Sequence, residues 1–194
     1  NIEMWSEICI NSGTSISEKR NNFFEETKQT FFNFAEYLGD KRVLQIINSL
    51  EILFYKGWTT DHSLKQVLEL NRDSDQRKTS TSSGPHRADI KFLIKDSDIK
   101  YILSRGEQKF MSILWCLSMH KTLSDFYGVS PFLIIDDIHS ELDEDFYSEL
   151  IIFLPKTVNQ LFFSDISNPF NSKIKDQLKE LKKFHVEQFT NAEK

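Results

Sequence analysis

The stretch from Leu103 to Asp143, LSRGEQKFMSILWCLSMHKTLSDFYGVSPFLIIDDIHSELD, limits what this chain can fold into more than any other. It holds three parts in order: a polar turn at Leu103–Lys109, an apolar run from Phe110 to Leu123, and a strand-like segment, Phe132 to Ile135, that stops on Asp136 and Asp137. Ser104 is a good N-cap and Glu107 stands three residues on, which predicts a capped helix start. The free backbone N–H groups of such a start form a ready anion site. Pro131-Phe132-Leu133-Ile134-Ile135 reads as a strand buried on both faces, as in a parallel sheet. Ligands of such sheets bind at the carboxyl ends of the strands. Two carboxylates there call for a cation or a bonded water. Mg²⁺ beside a phosphate is the usual solution, since it takes one or two carboxylates plus substrate oxygens. Taken singly, these features also fit a well-capped helix and a pair of solvated acids. Their order argues for the anion and metal reading.

That order resembles a known family. Leu103-Ser104-Arg105-Gly106-Glu107 is similar to the signature motif of ABC-type ATPases, in the form used by the SMC-like branch. Phe132-Leu133-Ile134-Ile135-Asp136-Asp137 resembles a Walker B strand, and Ser140-Glu141-Leu142-Asp143 a D-loop at its usual spacing. Gly57-Trp58, Gly84-Pro85-His86-Arg87-Ala88-Asp89, the Arg105 form of the signature and the following Gln108-Lys109 are all similar to the RecF family of recombination-repair proteins. The resemblance runs from about Trp5 to the end of the chain.

It implies an α/β fold: part of an SMC-like ABC-type ATPase head, a P-loop NTPase fold, with an inserted helical lobe. Residues 1–75 would form the lobe, with a strand near 50–55, and residues 76–194 the C-terminal part of the head. Two heads of such ATPases form a homodimer around ATP. Ser104, Arg105 and Gly106, with Glu107 beside them, would meet the γ-phosphate held by the opposite head. Asp136 would hold Mg²⁺, Asp137 would stand where a glutamate usually orients the attacking water, and Asp143 would line the dimer interface. The implied role is ATP-dependent dimerisation on duplex and gapped DNA, slow hydrolysis, and recruitment of recombination mediator proteins. ABC ATPases usually carry a histidine after the strand that follows Walker B, and Ser164-Asp165 takes that place here.

No G-x-x-x-x-G-K-[ST] occurs in the sequence, and Lys78-Thr79 has no glycines before it. The cradle for the β- and γ-phosphates is therefore not in these residues. The expectation is the C-terminal half of a RecF-like protein, an ATPase only when joined to a Walker A half. The alternative is a non-enzymatic remnant acting as a DNA- or protein-interaction module. A Mg²⁺-dependent nuclease built on Asp136, Asp137 and Glu141 is a third reading, and it leaves Leu103–Gly106 unexplained.

Elsewhere the patterning is plain. Phe23, Thr27, Phe31, Phe34 and Leu38 recur at helical spacing, so Asn1–Leu38 is predicted helical with a phenylalanine core stripe. Leu50, Ile52 and Phe54 alternate as a strand, as do Ile90, Phe92 and Ile94 before a turn at Asp96-Ser97-Asp98. Asp61 is expected to cap a helix through Leu64, Val67, Leu68 and Leu70. Asn71–Ser83 reads as a polar loop, whose Arg72, Arg77 and Lys78, with Arg87 beyond, are candidates for DNA phosphates. A helix through Phe146–Leu154 is expected to stop at Pro155, followed by a parallel strand at Gln160–Ser164. A helix near Lys173–Lys182 and a strand at His185–Phe189 would close the chain. The net charge of −5 gives no basic footprint for nucleic acid, while 17 Phe supply a sizeable core. Cys9 and Cys116 are expected to be reduced, buried thiols. With no signal peptide or membrane-length apolar run, the cytoplasm is the expected compartment.

Overall fold

The computed structural model describes residues 2–164 and residue 182. Apart from Lys182, the helix and strand expected after residue 172 lie outside the described residues. The chain divides into two compact units, residues 1–129 and 130–194. The boundary expected near residue 75 lies inside the first unit, where strands from either side of it pair.

The first unit is built on two helices and a small sheet. Helix α1 (Ile2–Leu38) packs along helix α4 (Arg105–Tyr127). Between them in sequence come α2 (Lys41–Ile47), β1 (Leu50–Tyr55), α3 (Leu64–Lys78), β2 (Asp89–Ile94) and β3 (Ser97–Asp98). The sheet order is β1-β2-β3, antiparallel throughout. Its register sets Leu50 opposite Ile94, Ile52 opposite Phe92 and Phe54 opposite Ile90, so the alternating apolar residues share one face. Trp115 of α4 joins helix and sheet: its ring centroid lies 5.7 Å from Phe31 and 5.1 Å from Phe92, edge-on to the latter.

Several local expectations are corrected. On α1 the buried stripe is Phe24, Thr27, Phe31 and Ala35, while Phe23, Phe34 and Leu38 are half-buried, a rotation of the stripe by about an eighth of a turn. The cap of α3 is Ser63, not Asp61. Its hydroxyl accepts from Gln66 N–H, and Gln66 Oε1 reaches back to Ser63 N–H at 2.8 Å. That reciprocal box carries the helix through the polar residues to Lys78, so the loop read at Asn71–Ser83 shrinks to Thr79–Ser83. A solvated helix needs no apolar stripe beyond the turns it buries. The β2–β3 turn falls on Lys95 and Asp96, both at positive φ, as a two-residue hairpin demands. Both cysteines are free and exposed. Cys116 shares the outer stripe of α4 with Ser112, four residues away, while its sequence neighbours Trp115 and Leu117 point inward.

The second unit starts with β4 (Leu133–Ile135), continues through α5 (Glu144–Thr157) and reaches β5 (Leu161–Phe163), which pairs parallel to β4. Pro155 lies inside α5, in its final turn, where it removes one hydrogen bond instead of ending the helix. The strand is not buried on both faces as expected. Ile134 and its register partner Phe162 are 65% and 51% exposed, and the face that packs is held by Leu133 and Ile135. Beneath the strands Ile138, Phe146, Tyr147, Leu150 and Leu154 form the core.

Candidate functional site

The first candidate place is the start of α4. Ser104 N–H and the Ser104 hydroxyl both donate to Glu107 Oε2, at 2.8 and 2.7 Å, and the hydroxyl accepts from Glu107 N–H at 3.3 Å. This is the predicted capping box, and it occupies Ser104 with the carboxylate of its own helix. Gln108 pins the turn from behind, its Nε2 donating to Leu103 O at 2.7 Å and Lys100 O at 3.2 Å. Upstream, Asp98 accepts from Lys100 N–H at 2.9 Å. That backbone bond first, and the Lys100 ammonium with it, hold the Asp98 carboxyl below its usual range, while Asp98 raises Lys100. Ser104 and Arg105 are exposed, and Gly106 is half-buried in the first turn. A helix start with exposed Ser104 and Arg105 suits an anion such as a terminal phosphate.

The second place is the carboxyl end of β4. Asp136 leaves the strand exposed, and Asp137 takes a left-handed backbone, φ +46°, that aspartate tolerates better than most residues. Ser164, just past β5, ties both together. Its hydroxyl donates to Asp136 Oδ1 and accepts from Asp137 N–H, the latter at 2.8 Å. The parallel ladder runs on around them, with Ser164 N–H donating to Ile135 O at 3.0 Å and Ile138 N–H to Ser164 O at 3.1 Å. Asp143 caps α5 by accepting from Phe146 N–H at 2.9 Å. His139 stands edge-on to Tyr147 at 4.7 Å and within 3.3 Å of Glu144. The sequence signal missed here was Ser164 as the bridge between the two acids; a hydroxyl at the end of the neighbouring parallel strand is the feature that carries it.

An exposed carboxylate on an open strand end fits Mg²⁺, which keeps waters and substrate oxygens in most of its positions. Among the described residues no group of three or more His, Cys, Asp or Glu is placed to hold a metal ion.

The candidate DNA contacts do not gather in a loop. Arg72, Arg77 and Lys78 lie exposed along α3, the last two in its final turn, where cations favour the helix dipole. Arg87 is exposed in the turn Pro85–Arg87. His86 beside it bonds Thr81 O through Nε2 at 3.1 Å, which gives it a structural role. Gly84 N–H donates to Gly57 O at 3.1 Å, so Gly57-Trp58 and Gly84–Arg87, distant in sequence, meet in the fold.

Comparison with known proteins agrees on one family. No family model matches the chain. The DNA replication and repair protein RecF of Pseudoalteromonas translucida is 32% identical over 188 residues, 95% of this chain and 50% of that protein. RecF of Vibrio vulnificus is 33% identical over 139 residues, 72% of this chain and 38% of that protein. A solved structure of the recombination mediator protein RecF with ATP, from the RecFOR pathway, superposes with a TM-score of 0.65 at 25% identity, over 87% of this chain and 46% of that one. The chain thus spans about half the length of the relatives it matches at greatest extent. By these likenesses and the α/β fold, the chain belongs to the RecF family of DNA replication and repair proteins.

Proposed function

We propose that this chain supplies the signature, Walker B and D-loop part of a RecF-like ATPase in DNA recombination and repair. What carries the reading is the ordered set Ser104–Glu107, Asp136–Asp137 and Asp143 in a chain similar to RecF proteins, one of them solved with ATP. Ser104, Arg105 and Gly106 contact the γ-phosphate of ATP bound by a second head, so the active form is a dimer. Glu107 must release the Ser104 hydroxyl for that contact. Asp136 would hold Mg²⁺, Asp137 would position water, and Asp143, which caps α5, would line the interface. When bound, Mg²⁺ neutralises charge on the phosphates. Arg72, Arg77, Lys78 and Arg87 contact the phosphates of duplex or gapped DNA, and mediator proteins of recombination are the partners.

The test mixes this chain with a Walker A-containing N-terminal half of the Pseudoalteromonas RecF and follows phosphate release with DNA present. Hydrolysis is expected only in the mixture, and Asp136→Asn should lower it by about 10²–10³-fold, the scale of losing one preorganised electrostatic contact. No hydrolysis in any mixture, with ATP bound, would favour the second reading, a non-enzymatic interaction module. The absence of a Walker A sequence from these 194 residues is the observation that keeps that reading in play.

A further inference from the structure

Five non-glycine residues among the described ones stand at positive φ, and three of them serve ordinary turns. Thr79 is the left-handed cap of α3, and Lys95 and Asp96 make the hairpin between β2 and β3. Asp137 (φ +46°) and Glu141 (φ +65°) are left, both in the short segment between β4 and α5. Backbone of this kind costs free energy, persists only where its surroundings fix it, and gathers at functional sites.

One group that fixes Asp137 comes from Ser164, a residue outside the signature, Walker B and D-loop set and 27 positions further along the chain. Its hydroxyl accepts from Asp137 N–H at 2.8 Å and donates to Asp136 Oδ1. A hydroxyl carries both the donor and the acceptor that this double bond requires. The main chain of Ser164 continues the parallel ladder without it. Its N–H donates to Ile135 O at 3.0 Å, and its carbonyl accepts from Ile138 N–H at 3.1 Å. Ser164 is also exposed, so its side chain fills no core. Holding β5 against β4 therefore does not need the hydroxyl. Its bonds go instead to two consecutive acids, one through the carboxylate and the other through the amide.

The backbone of Asp137 decides where its carboxylate stands. Successive side chains of an extended strand point to opposite faces, so a strand continued through Asp137 would send the two acids apart. The left-handed turn breaks that alternation directly after Asp136. We propose that Ser164 is a positioning residue for the hydrolysis proposed above. It holds the Asp137 amide in that turn, steadies Asp136 at Oδ1, and so sets how the two carboxylates stand to each other. In this role, which rests on the ATPase reading, Ser164 acts through the two acids and not on the nucleotide.

The test compares Ser164→Ala and Ser164→Thr with the unaltered chain, all 194 residues in each. By NMR on the chain alone, Ser164→Ala should speed hydrogen exchange of the Asp137 amide by about tenfold, the scale of one hydrogen bond. The Ile138 amide, bonded to the Ser164 carbonyl, should not change. In the mixture with the Walker A half of the Pseudoalteromonas RecF, the same variant should lower kcat by about 10- to 100-fold at an unchanged KM for ATP, the scale of a displaced catalytic group. Threonine keeps the hydroxyl and should restore both readouts. A merely structural tie would move the exchange and leave kcat alone. Wild-type turnover by Ser164→Ala therefore overturns the proposal, as does a rise in KM alone, which would mark a nucleotide contact. An equal loss of kcat in Ser164→Thr does the same. A mixture of unaltered halves that binds ATP without hydrolysing it overturns the ATPase reading, and this role with it.

Discussion

Gly57 is the residue at which one methyl group would do most harm. Its φ of +100° lies in the region glycine alone enters easily, and an added Cβ would stand 2.0 Å from Gly84 O. Backbone cannot yield there as a flexible side chain could, because Gly84 is itself held by its hydrogen bond to Gly57 O and by its own φ of +142°. Gly57→Ala is therefore expected to cost about 2–4 kcal/mol, the range of backbone strain joined to a steric clash. Urea denaturation followed by tryptophan fluorescence checks it; a loss below about 1 kcal/mol would mean that the segment moves aside at little cost. Trp58, next in sequence, packs on Leu64 and Val67 and would report the loosening directly.

At the scale of elements α4 is the most consequential, since one helix both fills the core and begins at the turn proposed to meet the γ-phosphate. Its buried residues, Phe110 through Thr122, hold it in place far from its first turn. Ser104→Arg should thus cost only the cap, about 1 kcal/mol, and leave far-ultraviolet dichroism unchanged. In the assembled ATPase it should abolish ATP-dependent dimerisation, read by sedimentation velocity. Dimers that persist would refute contact in trans.

The capping box, the alternation of β1 and β2 and the parallel pair β4–β5 were legible because each rests on local spacing. The end of α3 was not. Asn71–Lys78 has a loop's composition, and only the cap set eight residues earlier by Ser63, together with Arg77 and Lys78 at the last turn, keeps it helical. The exposure of Ile134 was hidden for a similar reason. An apolar run reads alike whether one or both of its faces are covered, and which faces are covered is decided by distant chain. At the candidate site, sequence picked out Asp136 and Asp137, but the hydroxyl that joins them comes from another strand.

For the whole molecule, the division after Val129 is the main fact. The connecting residues Gly128, Val129 and Ser130 are exposed and follow an α4 that ends in a left-handed glycine. Brief digestion with a low-specificity protease is expected to cut there first and leave an N-terminal fragment ending near residue 129; mass spectrometry of the early products decides, and first cuts within α1 would contradict it. The second unit, smaller and with a sheet face of Phe132, Ile134 and Phe162 open to solvent, draws its order at the strand end from Ser164. That serine has one proton to give, and gives it to Asp136, while its lone pair takes the Asp137 amide. A cation arriving on the Asp136 oxygen that Ser164 holds would displace the hydroxyl, and the Asp137 amide would lose or redirect its bond, whereas one arriving on the other oxygen would leave both in place. Loading of that oxygen would thereby be transmitted to the backbone of the next residue and to the neighbouring strand, so a strand end tied in this way would also register what it held.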